Sequence, residues 1–369
     1  MSLHEEGIMT GNAQAEFIID DAAPPGEAEF RAWLSGVPGS VALAVAYRAG
    51  LRLFPVAARA DERSPVTERL VLMIGRALMA AGTAAKRPGP KARSAAERAL
   101  RAAVAAAEAA EARVFADPAL LSAAAAAGRI DPTEAALSAV RVDDDAHEIA
   151  RAEAGLDFDA LIAGPVIFPP ELAHGIADWA VDRVDLLPPT GHLAFWADWH
   201  ARAVEGRPMS WAMQAEIVDL PDDVWDGELK VLAMRIERIR VRHELIGRLA
   251  ALDRRIAGAG AEAEEQDGES AAAGFAAIRL IRGPMEDLRN QTVSPKPQPF
   301  LVQKAGKTLA AVLSASAKWL GRSMDVDGKD YVRVIGKSGG VATATWIARV
   351  EPQVRAVIRA ADDWQRLLH

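Results

Sequence analysis

Residues 226–256 read DGELKVLAMRIERIRVRHELIGRLAALDRRI, and their spacing decides the fold class. Leu229, Leu232, Ile236 and Ile239 follow a three-four-three rhythm that His243 and Ile246 continue. Residues three and four apart share one face of a helix. A helix over this stretch would be roughly 45 Å long at about 1.5 Å per residue. Its seven arginines fall on the remaining faces and predict a solvated, partly ion-paired surface. The apolar stripe with Leu232, Ile236, Ile239 and Ile246 calls for a covering surface, in an antiparallel bundle within the chain or across a homodimer.

The same rhythm recurs upstream. Phe30, Trp33 and Leu34 line one face of a helix from Glu27, and Leu43, Tyr47, Leu51 and Phe54 line a second that Pro55 should end or kink. Ser64-Pro65 opens a third helix, reaching about Ala81, with Leu70, Ile74, Ala77 and Leu78 inward. Residues 83–94, TAAKRPGPKARS, read as a loop. Ser94 with Glu97 then forms a capping box for an alanine-rich helix. Asp117-Pro118, Asp131-Pro132 and Glu351-Pro352 are further cap-plus-proline starts, and 143–145 caps a short helix. Residues 330–335 and 341–347 carry enough alternation or β-branching for one short hairpin around 330–347, with two helices as the favoured alternative.

These signals predict an all-α, multi-domain chain of helical bundles. Its parts are a disordered tail at 1–25, an alanine-rich helical domain at 26–163, a tryptophan-rich module at 164–257 ending in the long helix, an acidic linker at 258–274 and a C-terminal helical region at 275–369. Another extended stretch is predicted at 290–299, where three prolines fall.

Composition excludes several classes. With no cysteine there is no disulfide framework, thiolate metal site or cysteine nucleophile. The net charge of −8 argues against a polyanion binder. The opening residues carry no apolar segment of the signal-peptide kind, and Arg48 and Arg52 interrupt the most apolar window, so a cytoplasmic protein without a membrane span is expected. The 78 alanines predict lean, closely packed cores; with 34 arginines to nine lysines they suit a high-GC bacterial genome.

Tryptophan is concentrated in one place. Trp179, Trp196, Trp199, Trp211 and Trp225 fall within 47 residues. Residues 195–239 contain W-x-x-W at Trp196 and Trp199, a G-x-P turn at Gly206 and Pro208, then Trp211, Glu216 and Leu220-Pro221-Asp222 before Trp225. This skeleton resembles a recurring segment of uncharacterised bacterial tryptophan-rich helical proteins, and residues 318–350 resemble the C-terminal part such proteins carry. The resemblance implies a module and brings no activity with it.

Catalytic patterns are approached and missed. Gly306-Lys307-Thr308 and Gly336-Lys337-Ser338 lack the glycine that a phosphate loop needs five residues earlier. Asp325-Val326-Asp327-Gly328 has Lys329 next and reads as a solvated acidic turn. His147-Glu148 has Arg151 where a zinc-protease helix needs histidine. No metal or cofactor is called for.

The expected function is therefore that of a helical interaction or scaffold protein with a protein partner or a homo-oligomer. Trp196, Trp199, Trp211 and Trp225 are the candidate partner anchors, because tryptophan is enriched at interface hot spots. The alternatives are a hydrolase-like enzyme with an unrecognised helical site, for which His200 with Glu216 is the pair to test, and weak nucleic-acid binding through the arginine-rich helix 235–255.

Overall fold

The computed structural model describes residues 27–57, 65–110, 113–141, 158–166, 191–264, 268–319 and 341–369. Among these it is all-α, with fourteen helices and no strand. They are α1 (Glu27–Gly36), α2 (Gly39–Ala57), α3 (Pro65–Lys86), α4 (Pro90–Ala109), α5 (Arg113–Ala127), α6 (Pro132–Arg141) and α7 (Phe158–Ala163). There follow α8 (Ala194–Val204), α9 (Trp211–Val218), α10 (Asp222–Asp226), α11 (Leu229–Glu264), α12 (Gly268–Val293), α13 (Pro299–Trp319) and α14 (Val341–Leu367). None is long and apolar enough to cross a membrane. The tail 1–25, residues 143–145, Trp179, the 325–328 turn and the first hairpin strand at 330–335 lie outside the described residues. The second strand of that hairpin, 341–347, is helical and opens α14.

Proline begins some helices and sits inside others. Pro65, Pro90, Pro132 and Pro299 each stand at the first helical position, where a missing N–H costs nothing. Pro118, Pro284 and Pro352 lie within α5, α12 and α14. The starts predicted at Asp117 and Glu351 are thus wrong, because buried residues on both flanks hold each helix together across the lost hydrogen bond. Ala116, Ala119 and Leu120 do so around Pro118, and Val350 and Val354 around Pro352. The 83–94 loop likewise shrinks to 87–89. Ser94 falls inside α4, and Glu97, instead of completing a capping box, pairs with Arg129 beyond the end of α5.

The chain forms two compact units, Met1–Lys230 and Val231–His369. In the first, α2 packs on α3, α5 and α6, while α3 also packs on α4, α5 and α9. The core is lean, as alanine content implied: all five buried residues of α4 are alanines. The tryptophan module is no separate domain from the alanine-rich helices, because its largest side chains seat on α2 and α3. A Cβ at Gly75 would lie 2.5 Å from the Trp196 ring, and one at Gly82 would lie 3.0 Å from Tyr47 and 3.1 Å from Trp211. Seven residues apart on α3, these two glycines are separate gaps on one face, each filled by aromatic rings. Gly206, at φ +71°, turns the chain out of α8, and a Cβ there would meet the Pro165 nitrogen at 2.4 Å.

In the second unit α11, α12, α13 and α14 share one core. α11 spans 36 residues and runs through the predicted linker as far as Glu264. α12 resumes at Gly268, and only 294–298 of the predicted 290–299 stretch is non-helical. The long helix buries two different faces. Leu232, Ile236 and Ile239 are buried on one. Val241, Leu245, Leu249, Leu252 and Ile256 lie roughly opposite at about 100° per residue and join the four-helix core. Ile246, expected to extend the first stripe, is 38% exposed, because the buried face has changed sides by that point.

Two glycines test this packing with opposite signs. Gly75→Ala should destabilise the first unit by about 1–3 kcal/mol through overpacking against Trp196. Gly247→Ala, in open space on α11, should stabilise by about 0.5–1 kcal/mol through helix propensity. Urea unfolding midpoints measure both; a stabilised Gly75→Ala would refute the close seat.

Candidate functional site

The first unit gathers most of the sequence's chemically interesting residues in one core. Trp196, Trp199 and Trp225 have no exposed surface. Trp196 meets Trp199 edge-on at 5.6 Å between centroids and lies 6.3 Å from Trp225, while Phe54 of α2 meets Trp199 edge-on at 5.7 Å. Edge-to-face rings at these separations attract beyond their area burial. The Trp199 indole donates to Gln214 Oε1 at 3.0 Å, and Gln214 Nε2 donates to the Met209 carbonyl at 2.8 Å. One fully buried amide thereby holds α8 to α9. Trp211 is half-buried against Tyr47.

Three guanidinium groups are buried with these rings: Arg48, Arg52 and Arg76, each 1% exposed. Arg48 donates to the carbonyls of Leu161 at 2.8 Å, Gly164 at 3.0 Å and Pro165 at 2.5 Å. Those oxygens close the C-terminal end of α7, where a cation satisfies orphan carbonyls and meets the negative end of the helix dipole. Beside it, burial pushes the Tyr47 hydroxyl pKa up, with Arg48 opposing.

Arg76 lies 4.6 Å from the Trp225 ring centroid and donates to Asp222 Oδ1 at 2.8 Å. Burial pulls its pKa down and Asp222 opposes that shift. Around this pair, the acidic residues of 219–226 meet the basic residues of α3 and α4. Asp219 receives Arg98 at 3.0 Å and Lys91 at 2.8 Å, and Asp226 receives Arg69 at 2.7 Å. The hydrogen bond to Asp219 raises the Lys91 pKa. The basic patch of residues 86–101 is therefore partly committed inside the chain.

His200 and Glu216 are not brought together. The His200 ring donates from Nε2 to the Leu51 carbonyl at 2.8 Å and packs on Phe54 at 5.4 Å. The residue keeps some solvent contact, but protein encloses most of it, and this burial lowers its pKa to about 4. It is neutral near pH 7, a placed donor and not a paired base. Glu216 lies on α9 within reach of the Lys91 charge. Among the described residues no three histidine or carboxylate side chains converge as a metal would require.

Trp196, Trp199 and Trp225 are core residues, so a partner would reach them only by opening the unit; of the four proposed anchors only Trp211 keeps exposed surface. Three of the seven arginines of 235–255 are also engaged: Arg240 pairs with Glu237, Arg248 with Glu244, and Arg238 donates to the Leu367 carbonyl. Sequence reasoning missed Arg48, Arg76, Gln214 and Gly75. Two arginines four apart in an otherwise apolar run were the available signal for a buried cationic face. Compared with protein-family profiles, curated proteins and solved structures, the chain matches none.

Two measurements test this core. Free histidine titrates near 6.5, so between about 6.5 and 4 the unfolded chain takes up a proton that folded His200 refuses. Its contribution is complete above about pH 6.5 and lost as pH falls toward 4, at most about 3 kcal/mol. His200→Gln keeps a donor for Leu51 and should flatten that part of the stability–pH curve; an identical slope would mean that the ring titrates alike in both states. Asp222→Asn should cost about 1–3 kcal/mol, since it strands a buried cation although Asp222 itself is half-exposed. Adding Arg76→Met should recover much of the loss, and a double variant at the sum of the two single costs would deny the coupling.

Proposed function

We propose that the chain is a cytoplasmic helical interaction protein whose binding face lies on the unit Val231–His369. The observation that supports it is a core seam left uncovered. Val231, Met234, Arg238, Val241 and Leu245 are spaced three, four, three and four, so they lie along one face of α11. Val241 and Leu245 are buried in the four-helix core. At Arg238 that core ends, since its guanidinium donates to the carbonyl of Leu367, the last residue of α14. One turn further out, Met234 is 53% and Val231 38% exposed.

An apolar seam that outruns its covering helix fits an amphipathic helix of a partner protein, which would continue the four-helix packing. The distribution of exposed apolar residues supports the same unit. Among the described residues, every large exposed hydrophobic side chain belongs to Val231–His369. The first unit supports the reading in another way: its aromatic and cationic side chains are engaged in holding it together.

A photo-crosslinking residue at position 234 tests the proposal in the native host. It should give one reproducible protein adduct, or a dimer of the chain, identified by mass spectrometry. Val231→Asp with Met234→Asp should compete poorly against it while changing stability by only about 0.5 kcal/mol, as exposed sites do. Adducts that scatter over unrelated proteins, or a double variant that competes like wild type, would refute the face.

A further inference from the structure

The turn between α12 and α13 carries the two most exposed large apolar side chains among the described residues, Val293 at 79% and Phe300 at 68%. It is built to stay in one shape. Pro295, Pro297 and Pro299 fix three backbone φ angles within six residues. Gln298 N–H donates to Gln291 Oε1 at 2.8 Å, Ser294 N–H to the Gln291 carbonyl at 3.2 Å, and Lys296 N–H to Ser294 Oγ at 3.2 Å. The Gln298 carbonyl in turn accepts from Leu301 N–H at 3.0 Å, starting α13. Apolar side chains held out by a braced turn are not explained by folding, since monomeric proteins keep such surface small or use it.

Through the turn and along α13 the sequence carries charge of one sign. Between Asp287 and Asp325 the sequence holds no acidic residue, in a chain whose net charge is −8. Lys296 and Lys304 are exposed and form no ion pair among the described residues. Lys307 is partly offset by Asp362 of α14, which stands 3.7 Å from the Cβ position of Gly306. We propose that residues 293–304 are a membrane-docking tip that inserts Val293 and Phe300 into the headgroup boundary of an anionic bilayer, with Lys296 and Lys304 on the lipid phosphates.

The tip is a turn between two helix ends with its apolar side chains in solvent, which suits a deformable interface. Apolar side chains at the headgroup level and lysines reaching the phosphates are the two terms of interfacial binding. At physiological salt the Debye length is about 8 Å, so the two lysines at the tip act on the surface while the chain's distant negative charge is screened. The braced turn also lowers the ordering cost of binding. This surface is distinct from the α11 seam, and the inference goes beyond the protein-partner reading.

Vesicle flotation of the full chain tests it. The protein should float with vesicles of phosphatidylcholine mixed with phosphatidylglycerol, and not with phosphatidylcholine alone. Val293→Ser with Phe300→Ser, and separately Lys296→Glu with Lys304→Glu, should each weaken partition by about tenfold or more. Both pairs are exposed, so unchanged circular dichroism and melting would show that the loss is not unfolding. Val231→Asp with Met234→Asp should float like wild type, which separates this proposal from the seam. No flotation with anionic vesicles, or wild-type flotation of both tip variants, would overturn it. So would tip-dependent capture of an acidic protein without vesicle binding.

Discussion

The first unit depends on one close approach: the Trp196 ring resting on the bare backbone of α3 at Gly75. A large ring can come this near only where the opposing residue lacks a side chain. Once it is seated, Trp199 and Trp225 follow at edge-on and tilted angles, and Phe54 and Tyr47 of α2 close on the same cluster. The acidic segment after α9 is then carried against α3 and α4, where Asp219, Asp222 and Asp226 find their cations. In a core where one helix, α4, buries alanine alone, this cluster supplies the largest buried side chains, and it does so beside three buried guanidinium groups. The rings and cations are compatible because a guanidinium can stack on indole while donating in its own plane. Arg76 does both, over Trp225 and toward Asp222.

What the sequence disclosed was local. Three-four spacing identified the helices holding Phe30, Tyr47, Leu70 and Ile236, and the glycine and proline of 206–208 marked a true turn. What it concealed was set by residues far away. Gly75 and Gly82 look like weak points of a helix until an aromatic face is placed on them from more than a hundred residues later. Ser94 and Glu97 have the spacing of a capping box, but Arg129 offers Glu97 an ion pair that no local pattern shows. Pro118 and Pro352 carry start signals in their own neighbourhoods and are overruled by burial on either side. In α11, Ile246 continues a regular stripe, yet the covering helices have moved to the opposite face by that point.

The candidate site was legible in the same partial way. Clustering of tryptophan was visible in the sequence, but whether an indole is an anchor or a core residue depends on what covers it. The answer here lies on α2 and α3, outside the segment that attracted attention. His200 with Glu216 failed for a related reason. Two residues on short neighbouring helices seem available to each other until orientation is known, and the Leu51 carbonyl claims the one ring nitrogen that matters.

The two units therefore use their side chains differently. In Met1–Lys230, Arg48, Arg76, Gln214 and Trp199 are turned inward, and each is fixed by a partner whose loss would leave a buried polar group stranded. Such a core tolerates little rearrangement, which makes it a poor place for an adaptable contact. In Val231–His369 the interior is mainly apolar and is built from four helices. A helix that outruns its neighbours, and a turn stiffened by three prolines, can then hold apolar side chains in solvent without weakening the packing behind them. The surface free to meet another molecule lies where the fold has least need of it.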